Sequence, residues 1–195
     1  MSIQVRRVKK LSDDERRLLY GWGTDIFGGD HLQLRYRAMD WHFVVYADGR
    51  PVSQQGVCQQ AVKVNVRCID IHRLRPRRVA RWVYRLANRN VPSIKVGGIG
   101  GWVAPPSAQR QWYAAFAWKH ALKFIRDELG LDFMLGFAVD RMRPHYERIH
   151  AQVIPDPVYF DQPAGKVRCP TNTMVLSLRG KAWPPGIVDI GGLPW

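Results

Sequence analysis

The 195-residue chain is poor in cysteine, in acidic residues and in long apolar runs. Its three cysteines, Cys58, Cys68 and Cys169, lie 10 and 101 residues apart, a spacing that excludes a disulfide framework and fits no zinc-ligand pattern. A reducing compartment is expected. No stretch approaches the ~18–20 apolar residues of a membrane-spanning helix, and Met1-Ser2-Ile3-Gln4-Val5-Arg6-Arg7 lacks the apolar run of a signal peptide. A cytoplasmic location follows as the expectation. Sixteen Asp and Glu stand against 30 Lys and Arg, a formal net charge of +14. That balance disfavours polycationic substrates and favours partners bearing phosphate or carboxylate. The six histidines show no pairing with cysteine or carboxylate at ligand spacing, so no metal is expected. What remains, 46% hydrophobic residues with no internal repeat or low-complexity tract, fits one globular domain over 1–195.

Strand and helix signals alternate along the chain. Ile3–Val8 reads as a strand, and Ser12-Asp13-Asp14-Glu15 as a capping box opening a helix from Asp13 to about Trp22. Gly28-Gly29 marks a loop. Trp41–Ala47 and Val52–Val66 flank Asp48-Gly49, a hairpin signal. Ile94–Val103 reads as a strand holding four glycines, which usually marks a bulge or another molecule's close approach. Ser107–Leu129 has a helical stripe of Ala114, Trp118, Ala121, Leu122, Ile125 and Leu129, and Gly130 ends it. Phe133–Val139 is a buried strand, Pro144 opens a short helix carrying Tyr146, and Val158–Phe160 and Thr173–Leu178 complete the strands. The class is α+β, with a mixed, mostly antiparallel sheet flanked by helices.

Residues 67–89 differ from the rest. They hold eight arginines and one acid, Asp70, so their net charge of +7 is half that of the chain. A helix after Pro76, within a basic helical insertion at about 67–92, would carry Arg77, Arg78, Arg81 and Arg85 at i, i+4 spacing opposite Val79, Trp82, Val83 and Leu86. One reading is a solvated basic face over a buried stripe. The other is an anion patch for a cofactor phosphate, an acidic protein or nucleic acid.

The run from Ile94 to Val153, about a third of the chain, resembles the central part of the Gcn5-related N-acetyltransferase (GNAT) superfamily. The glycine-bearing strand, loop, amphipathic helix, buried strand and short helix with a tyrosine stand in that family's order. Asp40-Trp41 and the ending Trp183-Pro184-Pro185-Gly186 through Gly192-Leu193-Pro194-Trp195 look similar to two branches, the aminoglycoside 2′-N-acetyltransferases and the nodulation N-acyltransferases. The resemblance implies central strands that splay apart to admit acetyl-CoA or a longer acyl-CoA, or an acyl carrier protein's thioester. The cofactor groove would draw on Trp102, Val103, Gln109, Arg110, Gln111, Trp112 and Ala114. The family's loop usually reads Gln/Arg-x-x-Gly-x-Gly/Ala; here Ala108–Tyr113 contains no glycine.

Acyl transfer to an amine needs a base for the acceptor and an acid for the departing thiolate. Tyr146 matches the family's acid, although the usual Gly-Phe after it is replaced by His150-Ala151. No carboxylate lies between Ile94 and Val103, where relatives often carry the base; Asp140, then Asp40 and His145, are the side-chain candidates. Asp40 and the Trp195 end are expected to contact the acceptor, a small amine. The competing reading is a nucleic-acid-binding or nucleic-acid-modifying protein on a degenerate acetyltransferase fold. A third reading is a homodimer held by the tryptophan-rich tail.

Overall fold

The computed structural model describes residues 2–27, 32–67 and 77–195, and the side chains of Arg77, Arg78, Ala80, Arg81 and Arg85 lie outside that description, as does the Gly28-Gly29 loop. Strand β1 (Ile3–Val8) leads into α1 (Asp13–Tyr20). The capping box forms as expected: the Ser12 N–H donates to Glu15 Oε2 at 2.6 Å and the Glu15 N–H to Ser12 Oγ at 3.2 Å. Strands β2 (Trp41–Ala47) and β3 (Arg50–Val64) form the expected hairpin. Both turn residues take positive φ, Asp48 at 47° and Gly49 at 80°, the combination whose twist matches that of the flanking strands.

The length of β3 organises the sheet. One edge pairs antiparallel with β4 (Ser93–Val103). The other edge is shared, with β2 along Arg50–Val57 and the two-residue β10 (Val188–Asp189) at Lys63–Val64. Between them the edge is closed by residues 37–40. Asp40 N–H donates to the Val57 carbonyl at 2.9 Å, Asp40 Oδ2 accepts from Gln59 N–H at 2.9 Å, and Arg37 Nη1 donates to the Gln59 carbonyl at 3.2 Å. Past β10 lie β7 (Val158–Gln162) and β8 (Gly165–Arg168); past β4 lie β5 (Phe133–Ala138), β9 (Asn172–Ser177) and β6 (Gln152–Val153). Parallel pairing is confined to β4–β5 and β10–β7. The mixed, mostly antiparallel sheet is thus the one expected.

Both faces of the central strands are covered. Ile99 and Met134 turn toward one cluster with Trp118, Ile125 and Tyr146; Val96 and Leu135 turn toward another with Cys58, Phe160 and Trp195. A strand buried on both sides is necessarily apolar or glycine-rich.

Two helices depart from expectation. α2 (Arg77–Ala87) follows Pro76, but the stripe expected to be buried is not: Val79, Trp82 and Leu86 are exposed, Trp82 at 64%. Polar contacts anchor the helix instead. Tyr84 Oη donates to Asp189 Oδ2 at 2.7 Å, and the buried Asn88 donates to the carbonyls of Arg67 and Tyr84. The helix expected from Ser107 begins six residues later. Pro106–Ala108 forms a single 3-10 turn, and α3 runs over Tyr113–Lys123 before widening into a π turn at Phe124–Glu128. The delay has a local cause: Arg110 and Trp112 are left-handed, with φ of 62° and 64°, which no α-helix accommodates. α4 (Arg143–Arg148) has Pro144 in its first turn and carries Tyr146, as expected, and the Tyr146 side chain is buried.

Candidate active site

β4 and β5 pair at three positions only, Gly97 with Met134, Gly98 with Leu135 and Ile99 with Gly136. Beyond Ile99, β4 stays with β3 and β5 stays with β9, so Gly100–Val103 and Phe137–Ala138 part. A bulge causes the divergence. The β3–β4 register shifts between Gln54 and Gly56, next to Gly101 at φ +60°. The Gly101 carbonyl is held by two donors, Gln54 Nε2 from β3 and Tyr20 Oη from α1, the latter at 3.3 Å. A cavity of about 610 Å³ opens at the fork, within the range usual for small-molecule sites.

The strand's other glycines serve a different purpose from the one expected. A Cβ at Gly97 would lie 2.5 Å from Ile125 Cγ2; one at Gly98 would lie 2.6 Å from Cys58 Sγ and 2.7 Å from Trp195 Cδ2; one at Gly100 would meet Met39 and the Trp195 main chain. The close approach at these three positions is made by the chain's own core. Trp195, only 5% exposed, is packed within its own chain, and its ring lies 5.0 Å from that of Phe137. At Trp195, therefore, the tail presents no exposed ring to a second copy.

On the helix side of the fork, Trp102, Trp118 and Tyr146 form a ring cluster with centroids 5.1 to 6.2 Å apart, and Trp102 Nε1 donates to the Ala114 carbonyl at 3.1 Å. Trp102 and Tyr146 line the cavity. Burial alone pushes the Tyr146 hydroxyl up to about 12, so it keeps its proton throughout the neutral range. The other proposed acid–base groups are elsewhere. Asp140 is exposed and its Oδ1 accepts from Asn172 Nδ2 at 2.7 Å; His145 is exposed on α4. Neither is among the described cavity residues. Asp40 is also off the cavity wall, with Oδ1 paired to Arg37 Nη2 at 2.7 Å and Oδ2 on the β3 edge. Of the acceptor pair Asp40 and Trp195, the structure brings only Trp195 to the cavity.

The loop before α3 combines the expected groups in an unexpected shape. Arg110 and Trp112, two residues apart, take the backbone conformation that glycine favours, so a glycine-type bend exists without glycine. Neither aromatic residue fills that bend's interior: the Trp112 ring stands 80% exposed, and Tyr113 packs inward with Val45, Ala108 and Ala117. Gln109 Nε2 braces the Ala104 carbonyl at 3.1 Å and Gln111 Nε2 the Ser107 carbonyl at 3.0 Å. α3 has no side-chain N-cap, and Arg110 is exposed beside its start. A loop of this kind, with a helix N-terminus and a nearby guanidinium, suits an anion. Val103 differs: its side chain is buried with Leu11, Leu19 and Val44, and its carbonyl accepts from Ser53 Oγ at 2.8 Å. The side chains expected to form an anion patch, Arg77, Arg78, Arg81 and Arg85, lie outside the described residues.

Several wall residues were not expected. Phe137, Val139, Arg141 and Met142 follow from a general rule, because ligands gather past the carboxyl ends of adjacent parallel strands. Ile26, Leu34, Arg37 and Met39 carry no periodic pattern that marks them. Among the described residues no group of histidine, cysteine and acidic side chains could hold a metal.

No family profile and no curated protein sequence matches the chain. Solved structures do. A putative N-acetyltransferase from Lactobacillus plantarum superposes with a TM-score of 0.52 at 11% identity, covering 91% of this chain and 99% of that one. This chain has the GNAT fold. A GNAT family acetyltransferase from Brucella melitensis, solved with acetyl-CoA, gives 0.51 at 12% identity over 95% and 94% of the two chains. The Escherichia coli GNAT family N-acetyltransferase YhbS, solved with CoA, gives 0.51 at 12% over 100% and 97%. The likeness to these three, at 11–12% identity, is one of fold. Among the described residues no helix is long and apolar enough to cross a membrane.

Proposed function

We propose that the protein is an N-acyltransferase that takes an acyl group from a coenzyme A thioester and delivers it to an amine. The observation that carries this reading is the fork: two parallel strands that separate after Ile99 and Gly136, onto a cavity with a protonated tyrosine in its wall. The Brucella and Escherichia coli neighbours of the same fold were solved with acetyl-CoA and CoA, which supports the choice of donor.

The residues present fit such a donor. Past Ile99 β4 leaves β5, which gives an extended chain a strand edge to lie along beside the Gly100 and Gly101 carbonyls that Gln55, Gln54 and Tyr20 already hold, and the bend at Arg110–Trp112 with the uncapped start of α3 suits phosphate. When bound, the thioester supplies an activated acyl carbon. Tyr146 Oη holds a proton at the fork and donates it where thiolate charge develops. The Gln54 and Tyr20 donors fix the Gly101 carbonyl and with it the bulge that keeps the strands apart. Among the described wall residues none is Asp or Glu, so the acceptor enters as the neutral amine or passes its proton to water. The aromatic cluster of Trp102 and Trp118 sets the angle of the Tyr146 ring. The nucleic-acid reading gains nothing from this mainly apolar cavity.

The test is a thiol-release assay with acetyl-CoA and a panel of small amines, run beside Tyr146→Phe. The phenylalanine variant should bind CoA as tightly and turn over ~100-fold more slowly or worse, the scale of general acid catalysis. An unchanged rate would remove the tyrosine from the chemistry.

A further inference from the structure

We infer that the chamber beyond the fork is built for an acyl chain much longer than acetyl, of about eight carbons or more; this rests on the acyltransferase reading. The Trp195 side of the sheet supplies the argument. There Met39 lies against Gly100 and the Trp195 ring against Gly98, so the floor beneath the fork is apolar. Ile26, Leu34 and Phe137 continue the wall, and of the described lining residues twelve carry apolar side chains.

Charge is scarce on that wall. Its described charged members are Arg37 and Arg141. Four of the five N–H groups of the Arg37 guanidinium are engaged, with Asp40 Oδ1 at 2.7 Å, Gln60 Oε1 at 2.8 Å, the Gln59 carbonyl at 3.2 Å and the Ala38 carbonyl at 3.3 Å. Arg141 stands on the turn between β5 and α4. Apart from Gln33, Tyr36, Tyr146 and Thr171, a polar acyl group would find few uncharged side-chain partners, whereas a hydrocarbon would meet apolar side chains along most of the wall.

The volume sets an upper bound on that hydrocarbon. At ~30 Å³ for a water-sized group, a cavity of 610 Å³ holds roughly twenty such groups, while an acetyl group uses about two. An octanoyl chain uses about eight, leaving room for the pantetheine end and an amine. With acetyl alone, most of the apolar wall would lack contacts, and a wall without partner atoms forfeits its dispersion attraction.

Calorimetric titration of the intact protein with CoA and with acetyl-, butyryl-, octanoyl- and dodecanoyl-CoA, each below its micelle concentration, tests this without any need to know the acceptor. A fully buried methylene strengthens binding about fourfold; at half that effect, about twofold per carbon, octanoyl-CoA binds ~60-fold tighter than acetyl-CoA. Leu34→Trp fills the chamber and should collapse the octanoyl-to-acetyl ratio toward one. Ile26→Trp is the second variant should the first fail to fold, and circular dichroism verifies both. Acetyl-CoA binding with a flat series overturns the chain-length inference and leaves the acyltransferase reading standing. A series that rises equally in both folded variants also overturns it, because the gain then comes from outside the chamber. Absence of binding by CoA and every thioester overturns the acyltransferase reading itself.

Discussion

Gly98→Ala is the sharpest test of why the central strand contains glycine. The added Cβ would lie 2.6 Å from Cys58 Sγ and 2.7 Å from Trp195 Cδ2, against the ~3.5–4.0 Å of an ordinary carbon contact. Both neighbours are buried, so neither can swing into solvent. Overpacking of this kind costs about 1–3 kcal/mol and sometimes more. The loss of unfolded-state freedom on replacing glycine returns about 0.4–1 kcal/mol, since Gly98 is not at positive φ. The net expectation is a destabilisation of about 1–2 kcal/mol, or roughly 2–8 °C in melting temperature for a chain of this size. Urea unfolding followed by circular dichroism measures it. Trp195→Leu, which removes the indole ring, should itself cost about 2–4 kcal/mol. Combined with Gly98→Ala it should cost less than the sum by ~1 kcal/mol or more, because the methyl group then finds space. Strict additivity, or a Gly98→Ala protein as stable as the parent, would show that the glycine is there for something other than Trp195.

Three further outcomes follow. Trp112→Gly should stabilise the protein by about 0.5–1 kcal/mol in urea unfolding, the ~1–2 kcal/mol of left-handed strain less the ~0.5–1 kcal/mol entropic cost of glycine; destabilisation would mean the ring has a packing role. Burial lowers the pKa of His42, whose Nδ1 lies 3.1 Å from Gln54 Oε1, so the native state binds fewer protons than the unfolded chain. Stability is then present above the ordinary histidine value of about 6.5 and is lost as pH falls below it; melting temperatures at pH 7.5 and 5.5 should differ, and His42→Gln should reduce that difference. Cys58 is buried and its thiol is pushed up to about 12 by burial, so native-state alkylation followed by peptide mapping should modify Cys169 while sparing Cys58.

Much of the fold was legible because local chemistry and tertiary structure agree. The Ser12–Glu15 capping box, the Asp48-Gly49 hairpin, the stripe through Trp118, Ala121 and Ile125, and Pro144 ahead of Tyr146 each specify an element without help from distant residues. The failures have physical causes as well. The α2 stripe has the right period for burial, but what fixes that helix is Asn88 and the Tyr84–Asp189 bond to a strand more than a hundred residues away. The glycines of β4 signalled a bulge, which forms beside Gly101, or the close approach of another molecule, whereas the groups against Gly97, Gly98 and Gly100 are the chain's own Ile125, Cys58, Met39 and Trp195. The two-residue strands β6 and β10 exist only because longer neighbours offer an edge.

The site was half legible. Tyr146, Trp102 and Trp195 meet at the cavity, and the order of strand, loop and helix located the fork. Asp140, with Asp40 behind it, stood as the side-chain candidate for the base. Their partners, Arg37 with the Gln59 N–H and Asn172, are set by the folded chain and not by spacing. The left-handed bend at Arg110 and Trp112 was hidden because the residues that usually announce it are absent.

The most direct measurement is by nuclear magnetic resonance: backbone amide shifts of the labelled protein as CoA is titrated in. The account predicts saturable shifts that cluster at Gly100, Gly101 and Trp102 on one strand, at Phe137, Ala138 and Val139 on the other, and along Gln109–Ala114. Saturation without any change at the two diverging strand ends, or no change anywhere, would contradict it.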